Sequence, residues 1–302
     1  MAFNLTIKGR NSFFKKAKKV DMNDVIKTLG FGLGHYNDAY VLQIGETNGN
    51  TCILYNPKCI GRGIFLDLRK FEEDNEISLS YNIPTTQTEI NDFFDLAKEI
   101  INRFGNVDLY NADETFTLNS FLEQKENMIA YSIAELNQKA SIDYNENDWI
   151  ITTAMFPYTF SNNERNYFSK ATSLDGFEKR LHEIQLEDVY YAKPNLLHEQ
   201  NRDINIAVYT LTENCRSVFP IDGSSSLITI KLNTQIDDAW IRFYILSEEK
   251  LLEGYYHFQS FIEIMEEDNQ YFDKGHIIIE PMNKEDMLRI ANFLKENGHL
   301  VV

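Results

Sequence analysis

Hydrophobic and polar residues alternate in several short segments of the first half of the chain, as they do in strands with one buried face. In EISLSYNI, the residues Ile77, Leu79, Tyr81 and Ile83 alternate with polar ones. FNLTIKG, AYVLQIG, TCILYN and GIFLDLRK also have the composition of strands. Because ETNGN separates AYVLQIG from TCILYN and contains an Asn-Gly pair, we predict a hairpin between those two segments.

Apolar residues that recur three and four positions apart predict helices. The clearest helix is TTQTEINDFFDLAKEIINRFG, where Thr86 and Glu89 have the spacing of a capping box and Gly105 marks the end. Its apolar face consists of Ile90, Phe93, Phe94, Ala97, Ile100, Ile101 and Phe104. A shorter helix, MNDVIKTLG, ends at Gly30, and a further helix is predicted over residues 120–140.

The second half of the chain also combines strand and helix patterns. Strands are predicted near WIITTAM, DVYYAK, INIAVYTL, SLITIKL, AWIRFYIL and HIIIE, and helices near DGFEKRLHEI, FQSFIEIMEED and KEDMLRIANFLKENG. The polar segment SNNERNYFSK is predicted to be a mobile loop. Together these patterns favour an α+β fold, in which amphipathic helices pack on mostly antiparallel sheets.

Polarity rises at residues 141–149, which marks a candidate domain boundary. We therefore expect two α+β subdomains, residues 1–143 and 144–302, with one compact unit as the alternative.

Two segments, YNIPTTQTEINDFFDLAKEI and IIEPMNKEDMLRIANFLKEN, align with Pro84 opposite Pro281 and Thr86 opposite Asn283. Each has the order strand, proline, helix cap and apolar helix face. The similarity has two explanations. One is a duplicated unit that gives two related halves, and the other is the general need of helix starts for these residue types.

The chain has 46 Asp and Glu against 29 Lys and Arg, a net charge of −17. This charge argues against nucleic acid as a partner, because phosphate neutralisation requires clustered Lys and Arg. It also argues against an anionic membrane surface. The first 27 residues are the exception, with seven Lys and Arg against two Asp. They predict either a solvated lysine loop or a basic edge that docks onto an acidic partner or a second copy.

The sequence shows neither the apolar core of a signal peptide nor an apolar run long enough to span a membrane. Cys52, Cys59 and Cys215 have no CxxC spacing, which is typical of proteins in a reducing compartment. We therefore predict a cytoplasmic protein that does not bind membranes.

The segment CIGRGIF places Arg62 between two glycines and between two predicted strands. A guanidinium with flexible backbone on both sides can hold a carboxylate or a phosphate, but a glycine-flanked arginine is also typical of a tight turn. We favour the turn, in which Arg62→Ala changes the free energy of unfolding by no more than about 0.5 kcal/mol. The earlier segment GFGLG is not a dinucleotide site, because a helix precedes it and a strand follows it.

The six histidines and the acidic clusters lack the spacing of metal ligands, and no motif for a nucleophile or a cofactor is present. We predict no catalytic residue, no metal and no cofactor. His35, Cys59 and Arg62 are the candidates for ligand or partner contact, because folding can bring distant His, Cys and Arg side chains together.

The segments NPKCIGRGI and IPTTQTEINDFFDLAKEI resemble an uncharacterised bacterial family, a domain of unknown function of about this length from low-GC Gram-positive bacteria. The resemblance covers most of the chain. It implies a cytoplasmic bacterial protein and implies no catalytic or binding residues.

The leading hypothesis for function is a non-enzymatic, acidic interaction or regulatory protein of the immunity type, which binds a basic protein partner or self-associates. The alternative is an enzyme or a small-molecule binder whose site is assembled from distant residues. A deep pocket with titratable side chains favours the alternative, and a shallow acidic face favours the interaction protein.

Overall fold

The computed structural model describes residues 1–10, 20–112, 114–142, 148–223, 234–266 and 269–301. The chain divides into two compact units, Met1–Leu186 and Glu187–Val302. In each unit helices accompany sheets whose strand pairs are mostly antiparallel, so the predicted α+β fold is confirmed. The predicted strand SLITIKL and the lysine-rich loop lie outside the described residues.

An eight-stranded antiparallel sheet forms the centre of the first unit. Its strands are β1 (Ala2–Gly9), β2 (Gly32–Tyr36), β3 (Leu42–Ile44), β4 (Thr51–Tyr55), β5 (Ile64–Asp67), β6 (Glu76–Asn82), β7 (Val107–Asn111) and β8 (Glu114–Phe116). Their order across the sheet is β3-β2-β4-β5-β6-β1-β7-β8.

One face of this sheet is apolar and buried. Leu5 of β1 pairs with Leu79 of β6, and both are fully or almost fully buried. The predicted long helix, α3 (Gln87–Phe104), packs on this face, where the ring of Phe93 lies 4.8 Å from that of Tyr81. The period-two pattern of the strands is therefore satisfied by burial under α3.

The opposite face of the sheet is polar. Asn4 pairs with Ser80 and Thr6 with Ser78, and all four are half-buried or exposed. Side chains alternate between the faces of a strand, so the same pattern that places leucines under α3 places hydroxyl and amide groups on this open face.

Strand β2 lies between β3 and β4, so the predicted hairpin between AYVLQIG and TCILYN is wrong. The glycines of β2 explain this position, because they let neighbouring chains approach. A Cβ on Gly32 would lie 2.3 Å from Tyr55 Cζ, and one on Gly34 would lie 2.6 Å from a backbone oxygen of β3. The helix α1 (Met22–Leu29) ends before β2 at Gly30, which has a φ of 75°.

The other helices of the first unit are α2 (Phe71–Asp74), α4 (Leu118–Leu122), α5 (Gln124–Ser141), α6 (Asn162–Phe168) and α7 (Asp175–Gln185), and the short strands β9 (Ile150–Thr152) and β10 (Pro157–Thr159) form a second sheet. The helix predicted over residues 120–140 is therefore two helices. The segment SNNERNYFSK forms α6, so the predicted mobile loop is wrong. Ser161 and Glu164 form a capping box that satisfies free amides at its start.

Residues 148–186 belong to the first unit, although we expected a boundary between residues 143 and 144. The Leu42 amide donates to the Met155 carbonyl, and the Ala154 amide donates to the Gly61 carbonyl. Helix α7 also contacts α3. Residues on both described sides of the polar stretch, 141–142 and 148–149, therefore belong to the first unit.

The second unit contains two smaller sheets together with helices α8 (Phe258–Glu266) and α9 (Lys284–Glu296). Its strands are β11 (Tyr190–Tyr191), β12 (Asn195–Glu199), β13 (Ile204–Thr212), β14 (Ser217–Pro220), β15 (Asp238–Ile245), β16 (Lys250–Leu251), β17 (Tyr256–His257), β18 (Gln270–Asp273) and β19 (His276–Ile279). One sheet has the order β11-β14-β19-β18 and the other β12-β13-β15-β16, with β17 also paired to β15. The pairs β11–β14 and β13–β15 are parallel.

Helix α9 begins as α3 does. The Asn283 side chain accepts a hydrogen bond from the Asp286 amide, as the Thr86 side chain accepts one from the Glu89 amide. A strand and a proline precede the cap in both places. The sheets around the two helices differ in strand order, and a duplicated origin of the two halves stays a prediction.

Candidate functional site

Arg62 is buried, and only 8% of its surface is exposed. Its Nε donates to the Thr152 carbonyl oxygen and its Nη1 to the Pro84 carbonyl oxygen, both at 2.9 Å. Burial lowers the pKa of Arg62 to about 10, so the guanidinium keeps its charge at neutral pH. The predicted exposed turn is therefore wrong, because the side chain joins two distant segments inside the unit.

The carboxylate of Glu89 lies against the same loop. Its Oε2 accepts from the Gly63 amide at 2.5 Å, and its Oε1 accepts from the Thr85 hydroxyl. Thr86 caps α3 as predicted, but the Glu89 side chain bonds to the loop, so only half of the predicted capping box is present. Burial raises the pKa of Glu89, whereas these hydrogen bonds and the charge of Arg62 lower it.

The two glycines beside Arg62 are required by this contact. A Cβ on Gly61 would lie 2.6 Å from Glu89 Oε2. Gly63 has a φ of 88°, and a Cβ there would lie 2.5 Å from Ile53 Cγ2. Glycine is the residue that permits both the close approach and the left-handed backbone.

Helix α7 holds the residues just before Arg62. His182 Nδ1 accepts from the Ile60 amide at 3.0 Å. The Gln185 amide group donates to the carbonyl oxygens of Ile60 and Gly61. Residues 60–64 are therefore a buried junction between the sheet, α3 and α7.

Cys59 directly precedes this junction and is half-buried. Burial raises the pKa of Cys59 to about 11, and the carboxylates of Glu178 and Asp92 raise it as well. Because the thiolate is the reactive form of cysteine, the Cys59 thiol is poorly suited to nucleophilic chemistry at neutral pH.

His35, the third candidate, lines a cavity of about 380 Å³. The lining residues are His35, Tyr36, Tyr40, Asn48, Thr51, Cys52, Ile53, Phe65, Ser80, Asn82 and Thr152. Ser80 and Asn82 belong to the polar side of strand β6, so the cavity lies on the open face of the sheet. Arg62 and Cys59 do not line it, and the three candidates do not form one site.

The imidazole of His35, a lining residue, contains an unsatisfied buried atom. Its Nδ1 is buried and has no hydrogen-bond partner among the described residues. Glu46 Oε2 lies 3.9 Å away, beyond hydrogen-bonding distance. Buried polar atoms in proteins are nearly always hydrogen-bonded, so an unsatisfied nitrogen on a residue that lines this cavity marks that part of the wall as a candidate contact for a bound molecule.

Arg62 supports the cavity wall without lining it. Thr152, which accepts the hydrogen bond from Arg62 Nε, is a lining residue. The Tyr36 hydroxyl donates to the Thr153 carbonyl oxygen at 2.7 Å and lies 3.4 Å from that of Arg62. Burial raises the pKa of Tyr36, so its hydroxyl stays a donor. The buried junction and the cavity therefore share a wall.

The second unit holds a buried chain of three polar side chains. His276 Nε2 lies 2.6 Å from the Tyr191 hydroxyl, and His276 Nδ1 lies 2.8 Å from Asp273 Oδ1. The Asp273 side chain is fully buried. These hydrogen bonds connect strand β11 to the adjoining ends of β18 and β19.

A groove of about 490 Å³ in the second unit is lined by residues of α8 and α9. Ser260 Oγ lies 3.0 Å from His299 Nδ1 at this groove. The pair connects the segment after α9 to α8. The His299 carbonyl oxygen also accepts a hydrogen bond from the His257 amide of β17. No group of His, Cys, Asp and Glu side chains among the described residues is arranged to hold a metal ion.

The fold and these sites define a two-unit α+β protein with a cavity on the open face of its larger sheet. The family model of DUF4299, a domain of unknown function, matches residues 2–290, and the chain belongs to this family. The predicted resemblance to a family of unknown function is thereby confirmed, while the Gram-positive source and the cytoplasmic location stay predictions. No curated protein and no solved structure matches the chain.

Within the described part of the chain, no helix combines the length and the hydropathy needed to cross a bilayer.

Sequence reasoning identified the loop around Arg62 but missed its partners. The spacing of Glu89 from Thr86 predicts a helix cap, and this local role gives no signal of the bonds that Glu89 makes to the loop. Gln185 lies in a helix of mixed polarity, and nothing in the sequence distinguishes it from an exposed residue. For the cavity residues Ser80 and Asn82, the alternating pattern predicts only the polar side of a strand.

We expect Arg62→Ala to lower the free energy of unfolding by about 3 kcal/mol, because it leaves the buried Glu89 carboxylate uncompensated and two carbonyl oxygens without donors. Arg69→Ala is the matched control, since Arg69 is exposed and paired with Asp67 at the surface. Denaturant unfolding of both variants measures the difference. Equal small effects would contradict the buried role of Arg62.

Glu89→Gln is expected to alter the pH dependence of stability. The pKa of Glu89 in the folded chain is raised above its ordinary value of 4.5. The unfolded chain therefore releases its proton first, and the native chain loses stability as the pH rises from 4.5 through the raised pKa. The variant lacks this loss. Unfolding curves at several pH values measure it, with the exposed Glu73→Gln as control, and parallel profiles for the natural chain and Glu89→Gln would argue against it.

Proposed function

We propose that the first unit binds a small molecule in the cavity around His35. The observation that carries the proposal is that His35, a residue lining this cavity, has a buried Nδ1 without a hydrogen bond. The volume, about 380 Å³, is within the range of small-molecule sites in proteins. This is the alternative that the sequence left open for a site assembled from distant residues.

The rigidity of the cavity wall supports binding. Tyr36 is held by the Thr153 carbonyl, and Thr152 is held by Arg62. A wall whose groups are already fixed costs less ordering entropy when a ligand arrives.

The chemistry of the lining supports binding rather than nucleophilic catalysis. Cys52 is the lining thiol, and burial raises its pKa to about 11. It is therefore protonated at neutral pH, when a thiolate would be needed for attack.

The test uses two serines of strand β6 that lie on the same face, Ser80 in the lining and Ser78 outside it. A phenylalanine at position 80 fills the cavity, whereas one at position 78 does not. We expect a thermal-shift screen of a metabolite library to find compounds that stabilise the natural chain and Ser78→Phe, but not Ser80→Phe.

Circular dichroism establishes that both variants are folded before the screen. The proposal is wrong if no compound stabilises the natural chain, or if every stabilising compound acts equally on Ser80→Phe.

A second candidate function is the acidic interaction or regulatory protein of the leading hypothesis. The second unit carries 20 Asp and Glu against 10 Lys and Arg, whereas the longer first unit carries 26 against 19. Around the turn before β16, Leu246 and Leu251 are exposed beside Glu248, Glu249 and Glu253. An exposed acidic and apolar surface of this kind suits a basic protein partner.

We expect the natural chain to be cross-linked to a basic partner when the cross-linker is added at low salt, but not when it is added at high salt. A variant with Glu248, Glu249 and Glu253 replaced by Gln should not be cross-linked to this partner at either salt concentration. The matched control neutralises the exposed Glu72, Glu73 and Asp74 of the first unit. Capture that is independent of salt, or lost equally in both variants, would exclude this surface.

A further inference from the structure

We infer that the ligand of the His35 cavity is an uncharged, polyhydroxylated ring compound, a saccharide or a nucleoside. The inference rests on the function proposed above and specifies the chemical class of the ligand. Three independent properties of the lining carry it: its lack of full charges, its aromatic rings and its hydroxyl and amide groups.

The lining is neutral in a strongly charged protein. Among the eleven described residues that form it, none is Asp, Glu, Lys or Arg, although the chain carries 46 acidic and 29 basic residues. A ligand with a phosphate or a carboxylate would meet no cation in this lining, and the net charge of −17 would repel it. A ligand with an ammonium group would meet no carboxylate among the lining residues, although Glu46 lies 3.9 Å from His35 Nδ1. Transfer of an unpaired charge into such a site is costly, so a neutral ligand fits best.

Three aromatic residues, Tyr36, Tyr40 and Phe65, line the cavity. The rings of Tyr36 and Tyr40 lie 6.2 Å apart with an interplanar angle of 58°. Tyr40 has a φ of 57°, an unusual value for a residue other than glycine and one that is concentrated at binding sites. Phe65, on the neighbouring sheet surface, is 37% exposed. These rings provide flat surfaces for the less polar faces of a sugar or a base.

Hydroxyl and amide side chains line the cavity beside these rings, and Ser80 pairs directly with Phe65 across the sheet. Ser80, Asn82 and Thr51 each contain groups that can donate and accept hydrogen bonds. The hydroxyls of a sugar also donate and accept, so every lining group has a matching partner. A neutral imidazole offers one donor and one acceptor, and the free Nδ1 of His35 can take either role according to its tautomer. An apolar ligand would leave these groups unsatisfied.

The experiment compares matched pairs of compounds that differ by one phosphate. Glucose is paired with glucose 6-phosphate and adenosine with adenosine monophosphate, and saturation-transfer NMR titrations give the dissociation constant of each with the full chain. We expect the neutral member of at least one pair to bind at least about ten-fold more tightly than its phosphorylated form. Whether the saccharide or the nucleoside pair binds identifies the source of the ligand.

Two amide variants localise the binding. Asn82→Ala removes a lining amide, and Asn4→Ala removes an exposed amide on the same sheet face outside the cavity. Asn82→Ala should raise the dissociation constant of the neutral compound about ten-fold, and Asn4→Ala should leave that dissociation constant unchanged. Because both positions are exposed, neither substitution removes core packing.

The outcomes separate this inference from the proposed function. If the metabolites whose binding is blocked by Ser80→Phe are charged or apolar, or if the phosphorylated compounds bind as well as the neutral ones, the inferred ligand class is wrong while the cavity remains a binding site. If Ser80→Phe blocks no compound of any class, the proposed function itself fails.

Discussion

The first unit depends on the buried carboxylate of Glu89, which accepts a hydrogen bond from the backbone of the loop around Arg62. Glu89 lies in the first turn of a helix, yet its oxygens accept hydrogen bonds from the Gly63 amide and the Thr85 hydroxyl. Arg62 donates to carbonyl oxygens of two other segments. A buried carboxylate and a buried guanidinium are each expensive to desolvate, so neither is stable there without the other and without these bonds. The pair therefore requires the sheet, α3 and residues 148–186 to come together in one arrangement.

This junction also shapes the cavity. The carbonyl of Thr152 is fixed by Arg62, and the ring of Tyr36 is fixed by the next carbonyl along the chain, so two walls of the cavity are held from inside the protein. The junction holds the charged Arg62 and Glu89, whereas no Asp, Glu, Lys or Arg is among the described residues that line the cavity. Charged groups thus provide rigidity behind the wall, and the selectivity of the proposed site comes from uncharged donors, acceptors and rings.

Much of the fold follows from local pattern. The alternation in EISLSYNI predicted strand β6, and the helical period of apolar residues predicted α3. Both patterns arise because one face of a single chain segment is buried. Gly30 and Thr86 marked helix ends for equally local reasons. The strand GLGHY and the helix in SNNERNYFSK were missed. Glycine disfavours a strand in GLGHY, but the close contact of Gly32 with Tyr55 outweighs this preference. Polar residues disfavour a helix in SNNERNYFSK, but the capping box of Ser161 stabilises its start.

The sequence by itself determined the α+β class, the capped helices and the acidic character of this protein, since each depends on neighbours in the chain or on composition alone. Only the tertiary structure decided that Arg62 is buried, that the Cys59 thiol stays protonated and that His35 lies in a cavity. Those properties depend on solvent exclusion by residues far away in the chain. Gln185 reaches Gly61, and Thr152 reaches Arg62, through contacts that no local pattern encodes, because burial and charge pairing act through space.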